Sequence, residues 1–208
     1  MSEAVHVDPG SLLSKHRIEA LSDGVFAVVM TLLVLEIKPD MEPQAGDEAV
    51  RHMLRALALP FLTFAFAFLI SCIVWSLHHR KFALLRHTNP VHTGLTLAFL
   101  FPVTLLPVSV SIFLHARSSY AAEAVYLGNF TLIIFLLLLS WLYARHFGLV
   151  DPAQPADTVR RLTRRMIVLT AFGVLATTSC YLNLPYLLLF SVPIFMYLRF
   201  RKETSAAS

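Results

Sequence analysis

Arg17, Glu19, Ser22 and Asp23 crowd the head of an apolar run that continues almost unbroken to Ile37. Ionisable groups in such a run are costly inside a membrane and ordinarily face protein partners or water. Arg17 and Asp23 are six residues apart, about 240° around a helix, so they do not pair within it. Glu19 and Asp23, at i and i+4, repel when both point outward. Each charge therefore needs a partner on another helix or another subunit. At about 100° per residue, Leu21, Gly24, Val28, Thr31, Leu32 and Leu35 fall on one stripe. Asp23 lies about 140° from Val28, on another face. The stripe suits the wall of a pathway, or plain helix packing. Asp23 suits a lock onto a neighbour.

The elements that must position these residues follow from composition. The chain has 208 residues, 57% hydrophobic and 14% charged, where ordinary soluble domains carry about 25% charged residues. One core of this size cannot bury so much apolar surface. A soluble enzyme, a disordered chain and a disulfide scaffold are excluded. The fold class is all-α, a polytopic membrane protein. Spans of roughly 20 apolar residues are expected at 18–37, 54–77, 93–114, 121–143, 166–182 and 184–198, six transmembrane helices in a single unit covering 1–208. Pro102 and Pro107 are expected to kink the third. Residues 151–158 form a Pro-bearing linker before a basic helix start. No internal repeat or cleavable targeting peptide is evident.

Orientation follows from Lys and Arg in the flanks. Lys15, Arg17, Arg80, Lys81, Arg86, Arg145, Arg160, Arg161, Arg164, Arg165, Arg199, Arg201 and Lys202 fall on one side, and Lys38, Arg51, Arg55 and Arg117 on the other. The expected protein is a multi-pass cell-membrane protein with both termini cytoplasmic. The net charge of +4 sits in these short clusters, so no nucleic-acid partner is expected. The loop after the first span is acidic, with Asp40, Glu42, Asp47 and Glu48; it is either a solvated loop or a mouth that concentrates cations. Cys72 and Cys180 lie in apolar segments as packing residues. His78, His79, His87 and His92 lack metal-ligand spacing and nearby carboxylates, so no metal site is expected; His78 suits an inter-helix hydrogen bond. Trp75 suits an interfacial anchor or a partner for the polar head of the first span. No catalytic constellation, nucleotide loop or voltage-sensing Arg repeat occurs.

Arg17-x-x-x-Leu21-Ser22-Asp23-Gly24 resembles the R-x-x-x-F-S-D signature of the endosomal and lysosomal potassium channel family, transmembrane protein 175, and its bacterial homologues. The run Thr31 to Ile37 and the segment Trp75-Ser-Leu-His78-His79-Arg80-Lys-Phe82 resemble the bacterial branch. Leu21 departs from the family's Phe. The resemblance implies a homotetramer whose pore is lined by the first helix of each subunit, with potassium as permeant ion and no cofactor. No TVGYG-like loop occurs, so there is no carbonyl-filter pore loop. By offset from the signature Asp, the resemblance puts Val28, Thr31, Leu32 and Leu35 on the pore. It puts Arg17, Ser22, Asp23 and Gly24 in a polar network with Trp75 and His78. The expected function is a potassium-preferring cation channel with hydrophobic constrictions. The alternative is a proton-coupled secondary transporter using Asp23. Transporters show inverted repeats and broken helices around a midplane site, whereas Asp23 lies near one end of its span.

Overall fold

A computed structural model of the chain describes residues 15–39, 46–116 and 119–182. Among them all regular structure is helical, apart from one isolated bridge between Leu85 and Val150. The helices are α1 (Lys15–Leu32), continued by a 3-10 turn (Leu33–Glu36), α2 (Asp47–Ala56), α3 (Ala58–Ala83), α4 (Pro90–Thr104), α5 (Leu106–His115), α6 (Tyr120–His146) and α7 (Ala156–Tyr181).

Prolines punctuate the long runs. Pro60 has no N–H for the carbonyl four residues earlier, and the run breaks at Leu57, between α2 and α3. Pro107 has the same effect, and the expected kink appears as a break at Leu105, between α4 and α5. Asn89 opens α4, its side chain accepting from the His92 N–H at 2.8 Å, with Pro90 supplying the first turn. Ser119 caps α6 by accepting from the Ala122 N–H. Gly148, with φ 66°, ends α6 in the left-handed region that glycine tolerates best.

Four segments among the described residues are long and apolar enough to cross a membrane: Lys15–Glu36, Asp47–Ala83, Pro90–His115 and Tyr120–His146. They coincide with the first four expected spans. The second is much longer than expected, because α2 adds nearly three charged turns, none of whose residues is buried, ahead of the apolar stretch. The expected fifth span falls on the C-terminal part of α7. That helix is not among the four, because Arg160, Arg161, Arg164 and Arg165 occupy its first half. The expected sixth span, 184–198, lies outside the described residues.

Helix α6 is central, packing on α4, α5 and α7, while α1 packs on α3 and α4. The shared core contains Phe26, Phe99, Leu137, Trp141 and Met166, all buried. Helices α6 and α7 approach closely at Gly173, where a Cβ would lie 2.7 Å from Thr131 Oγ1 and 3.4 Å from its Cα. Thr131 and Thr177 share a 2.9 Å hydrogen bond there.

Candidate functional site

Helix α1 divides into two faces. Ile18, Ser22, Phe26 and Val29 are buried, with Leu33 continuing that face into the 3-10 turn. The stripe from Leu21 through Gly24, Val28, Thr31 and Leu32 to Leu35 is exposed throughout. Val28 is 56% exposed and Leu35 63%. A Cβ on Gly24 would meet nothing within 4 Å, so no packing among the described residues requires glycine there. The stripe is mostly apolar, and none of the described residues covers it.

The 3-10 turn alters its far end. At three residues per turn, side chains three apart eclipse, so Leu35 stands over Leu32 rather than drifting around the helix. With a rise of about 2.0 Å per residue in that turn, Val28 and Leu35 are separated by about 12 Å rather than the roughly 10 Å of an α-helix. Thr31 Oγ1 donates to the Val28 carbonyl at 2.7 Å. Its proton is thus spent on its own helix, and the exposed hydroxyl oxygen is left as an acceptor.

At the head of α1, two rungs tie the helix to antiparallel α3. The Trp75 indole N–H donates to Asp23 Oδ1 at 2.8 Å. One turn away, Glu19 Oε1 lies 3.3 Å from His79 Nδ1. His79 stacks on Trp75, with ring centroids 5.7 Å apart. The two carboxylates that would repel at i and i+4 therefore each have a partner on α3, at positions likewise four apart. Lys15 Nζ adds a third tie, donating to the Leu85 carbonyl at 2.6 Å.

The other signature residues are placed differently. Ser22 is buried and donates to the Ile18 carbonyl at 2.8 Å, within its own helix. Arg17 is exposed, and no hydrogen bond or ion pair ties it to Asp23 or Trp75. Gly24 belongs to the exposed stripe. His78 departs from its expected role as an inter-helix hydrogen-bonding group: it is fully buried, and neither ring nitrogen has a partner among the described residues. Its ring stacks on Phe99, with centroids 5.1 Å apart, and its centroid lies 4.7 Å from that of Phe82 and 6.4 Å from that of Phe26. His78 fills an aromatic cage behind the rungs.

Lys81 is a second correction. Counted in the sequence among the cations that set orientation, it is fully buried, its Nζ donating to Ser140 Oγ at 2.9 Å and lying 4.8 Å from the Phe82 ring centroid. A buried ammonium with one partner is sensitive to that partner's loss. Ser140→Ala is expected to cost about 1–3 kcal/mol of stability, whereas Lys81→Met, which removes the charge with its need for a partner, is expected to cost less. Unfolding of the purified variants in detergent, followed by tryptophan fluorescence, measures both. The sequence signal missed at Glu19 and His79 was their paired i, i+4 spacing on two helices expected to run antiparallel.

The profile described as endosomal/lysosomal potassium channel TMEM175 matches residues 17–107. A potassium channel from Streptomyces collinus is 32% identical over 163 residues, covering 76% of this chain and 77% of its own length. One from Chamaesiphon minutus is 33% identical over 147 residues, covering 68% and 70%. The chain belongs to the TMEM175 family. The crystal structure of a lysosomal potassium-selective channel TMEM175 homologue from Chamaesiphon minutus matches with a TM-score of 0.68 at 26% identity, covering 89% of this chain and 97% of that one. The TMEM175 protein of Bos taurus, named an endosomal/lysosomal proton channel, is 36% identical over 96 residues, which cover 43% of this chain and 20% of that protein. TMEM175 relatives are thus ion channels and not enzymes, and their names divide between potassium and protons. The match begins at Arg17 and includes both rungs and the exposed stripe.

Proposed function

We propose that this TMEM175-family chain is the subunit of a homotetrameric, potassium-preferring cation channel of the cell membrane, with both termini cytoplasmic. Ions pass down their gradient through a pore lined by α1. The observation that carries this reading is the uncovered stripe Leu21, Gly24, Val28, Thr31, Leu32 and Leu35, opposite a face that is buried against α3 and α4. A single helix cannot enclose a pathway, so several chains must bring their stripes together.

In such an assembly the Val28 side chains form one apolar neck and Leu32 with Leu35 form a second. Apolar necks gate by dewetting and penalise ions that hold their water tightly. Potassium releases water more readily than sodium and gains most from such a neck. Between the necks, Thr31 presents lone pairs that replace part of the lost hydration. The resulting preference is modest beside that of a carbonyl filter.

The bond from Trp75 to Asp23 supports a locking role for that carboxylate and weighs against a proton-coupled carrier. The test is flux in liposomes carrying opposed potassium and sodium gradients and a proton-sensitive dye. Potassium-driven uptake without a pH gradient is the expected result. Transport that requires a pH gradient and saturates at low turnover would make the protein a carrier, and proton flux without potassium preference would overturn the ion assignment.

A further inference from the structure

Away from α1, at the end of the molecule where α3 finishes, a cleft of about 310 Å³ is lined by Arg80, Ala83 and Leu84 of α3 and by Thr158, Arg161, Leu162 and Arg165 of α7. We propose that it binds the phosphoryl headgroup of an anionic phospholipid in the leaflet at this end of the bundle.

The lining is a product of helical spacing. Arg80, Ala83 and Leu84 recur at i, i+3 and i+4, and Thr158, Arg161, Leu162 and Arg165 at i, i+3, i+4 and i+7, so each helix turns one stripe toward the other. Leu84 and Leu162 are buried and make an apolar floor, while the three arginines are exposed at the rim. Backbone bonds brace the walls. The Arg86 N–H donates to the Leu149 carbonyl at 2.9 Å, and the Asp151 N–H to the Leu84 carbonyl at 3.0 Å. They clamp the end of α3 to the linker that leads into α7.

Charge names the occupant. Three guanidinium groups share one cleft, and no ion pair ties any of them to a carboxylate among the described residues. Asp157 sits one turn before Arg161, yet the Arg161 guanidinium donates to Thr158 Oγ1 at 3.2 Å. The N-terminal end of the α7 dipole adds positive potential at the same place. Guanidinium forks fit phosphate geometry and bind it more strongly than neutral donors do.

Position selects the lipid over free phosphate. Arg80 lies in the last turn of a segment that is long and apolar enough to cross a membrane, and α7 becomes apolar directly after Arg165. The cleft therefore sits at headgroup depth, with apolar helix surface below it for acyl chains. Basic pockets between helices at this level are suited to anionic headgroups.

The test compares the full chain with two double variants in detergent micelles: R161Q/R165Q in the cleft, and R86Q/R160Q, equal in charge but outside it. Retention of dioleoylphosphatidylglycerol is read by native mass spectrometry, with dioleoylphosphatidylcholine and inorganic phosphate as comparison probes. All four substituted positions are exposed, so both variants are expected to fold, which their Tm checks. The expected result is phosphatidylglycerol retention that falls by about tenfold in R161Q/R165Q, as two solvent-exposed ion pairs disappear, with R86Q/R160Q close to the parent chain. Phosphatidylcholine binds weakly to all three, and inorganic phosphate does not raise Tm. Equal losses in both variants would reduce the effect to diffuse charge and overturn the site. Stabilisation by inorganic phosphate equal to that by the lipid would overturn the choice of occupant.

Discussion

Leu35→Ala and Val28→Ala are expected to raise conductance by several-fold to about tenfold, since lowering a barrier by about 1.4 kcal/mol gives a tenfold rate, and to move the potassium-to-sodium preference toward unity. Both side chains are more than half exposed in the single chain, so truncation removes little packing within it. In an assembly the same change is repeated in every subunit and widens a neck on all sides at once. A wider neck stays wet more easily and no longer strips hydration, so sodium gains more than potassium. Val29→Ala provides the contrast. Val29 is 3% exposed, so its truncation, which removes two buried carbons and leaves a cavity, is expected to cost about 1.5–3 kcal/mol of stability without altering ion preference. Reversal potentials in planar bilayers under opposed ion gradients measure the preference, and single-channel amplitudes the conductance. Unchanged preference in both Leu35→Ala and Val28→Ala would remove α1 from the pathway.

The second large effect lies at the rung. Asp23→Ala deprives the Trp75 indole N–H of its acceptor in a half-buried site, at an expected cost of about 1–3 kcal/mol. Trp75→Phe removes the donor from the other side and is expected to act similarly. Their combination is expected to cost less than the sum, as members of a coupled pair do. Asp23→Asn retains an Oδ1 acceptor and is expected to cost least. Flux separates lock from carrier. With a lock, Asp23→Asn conducts potassium near the parent level while Asp23→Ala loses folded protein. With a carrier, Asp23→Asn loses all pH-coupled transport although it folds. Detergent unfolding and liposome flux on the same preparations distinguish the two.

The division of α1 into two faces was legible because spacing fixes angle on a helix. Charge at the head of the run announced a need for partners, but angle alone could not name them. Trp75 and His79 meet Asp23 and Glu19 only because α1 and α3 run antiparallel in a particular register, which neither segment encodes by itself. Lys81 was misread for a related reason. A Lys at the end of an apolar run looks the same whether it reaches solvent or turns inward, and only the position of Ser140, far along the chain, decides. His78 likewise looks like a hydrogen-bonding group until Phe26, Phe82 and Phe99 close around it. The four apolar segments were visible from hydropathy, whereas the extra length of the second and the basic first half of α7 blurred the count. The 3-10 turn after Leu32 gave no local sign beyond Pro39, which disfavours helix in the residue before it.

The central claim is that the uncovered face of α1 borders the ion path, and thiol access tests it most directly. Cysteine is introduced singly at Val28, Leu35, Phe26 and Val29, and liposome potassium flux is followed while a small charged thiol reagent is added. The unsubstituted chain, which carries Cys72 and Cys180, serves as the control. Rapid loss of flux for Val28→Cys and Leu35→Cys, with Phe26→Cys, Val29→Cys and the control insensitive, is the expected result. Flux that persists after confirmed modification of Val28→Cys and Leu35→Cys, or block confined to Phe26→Cys and Val29→Cys, would contradict it.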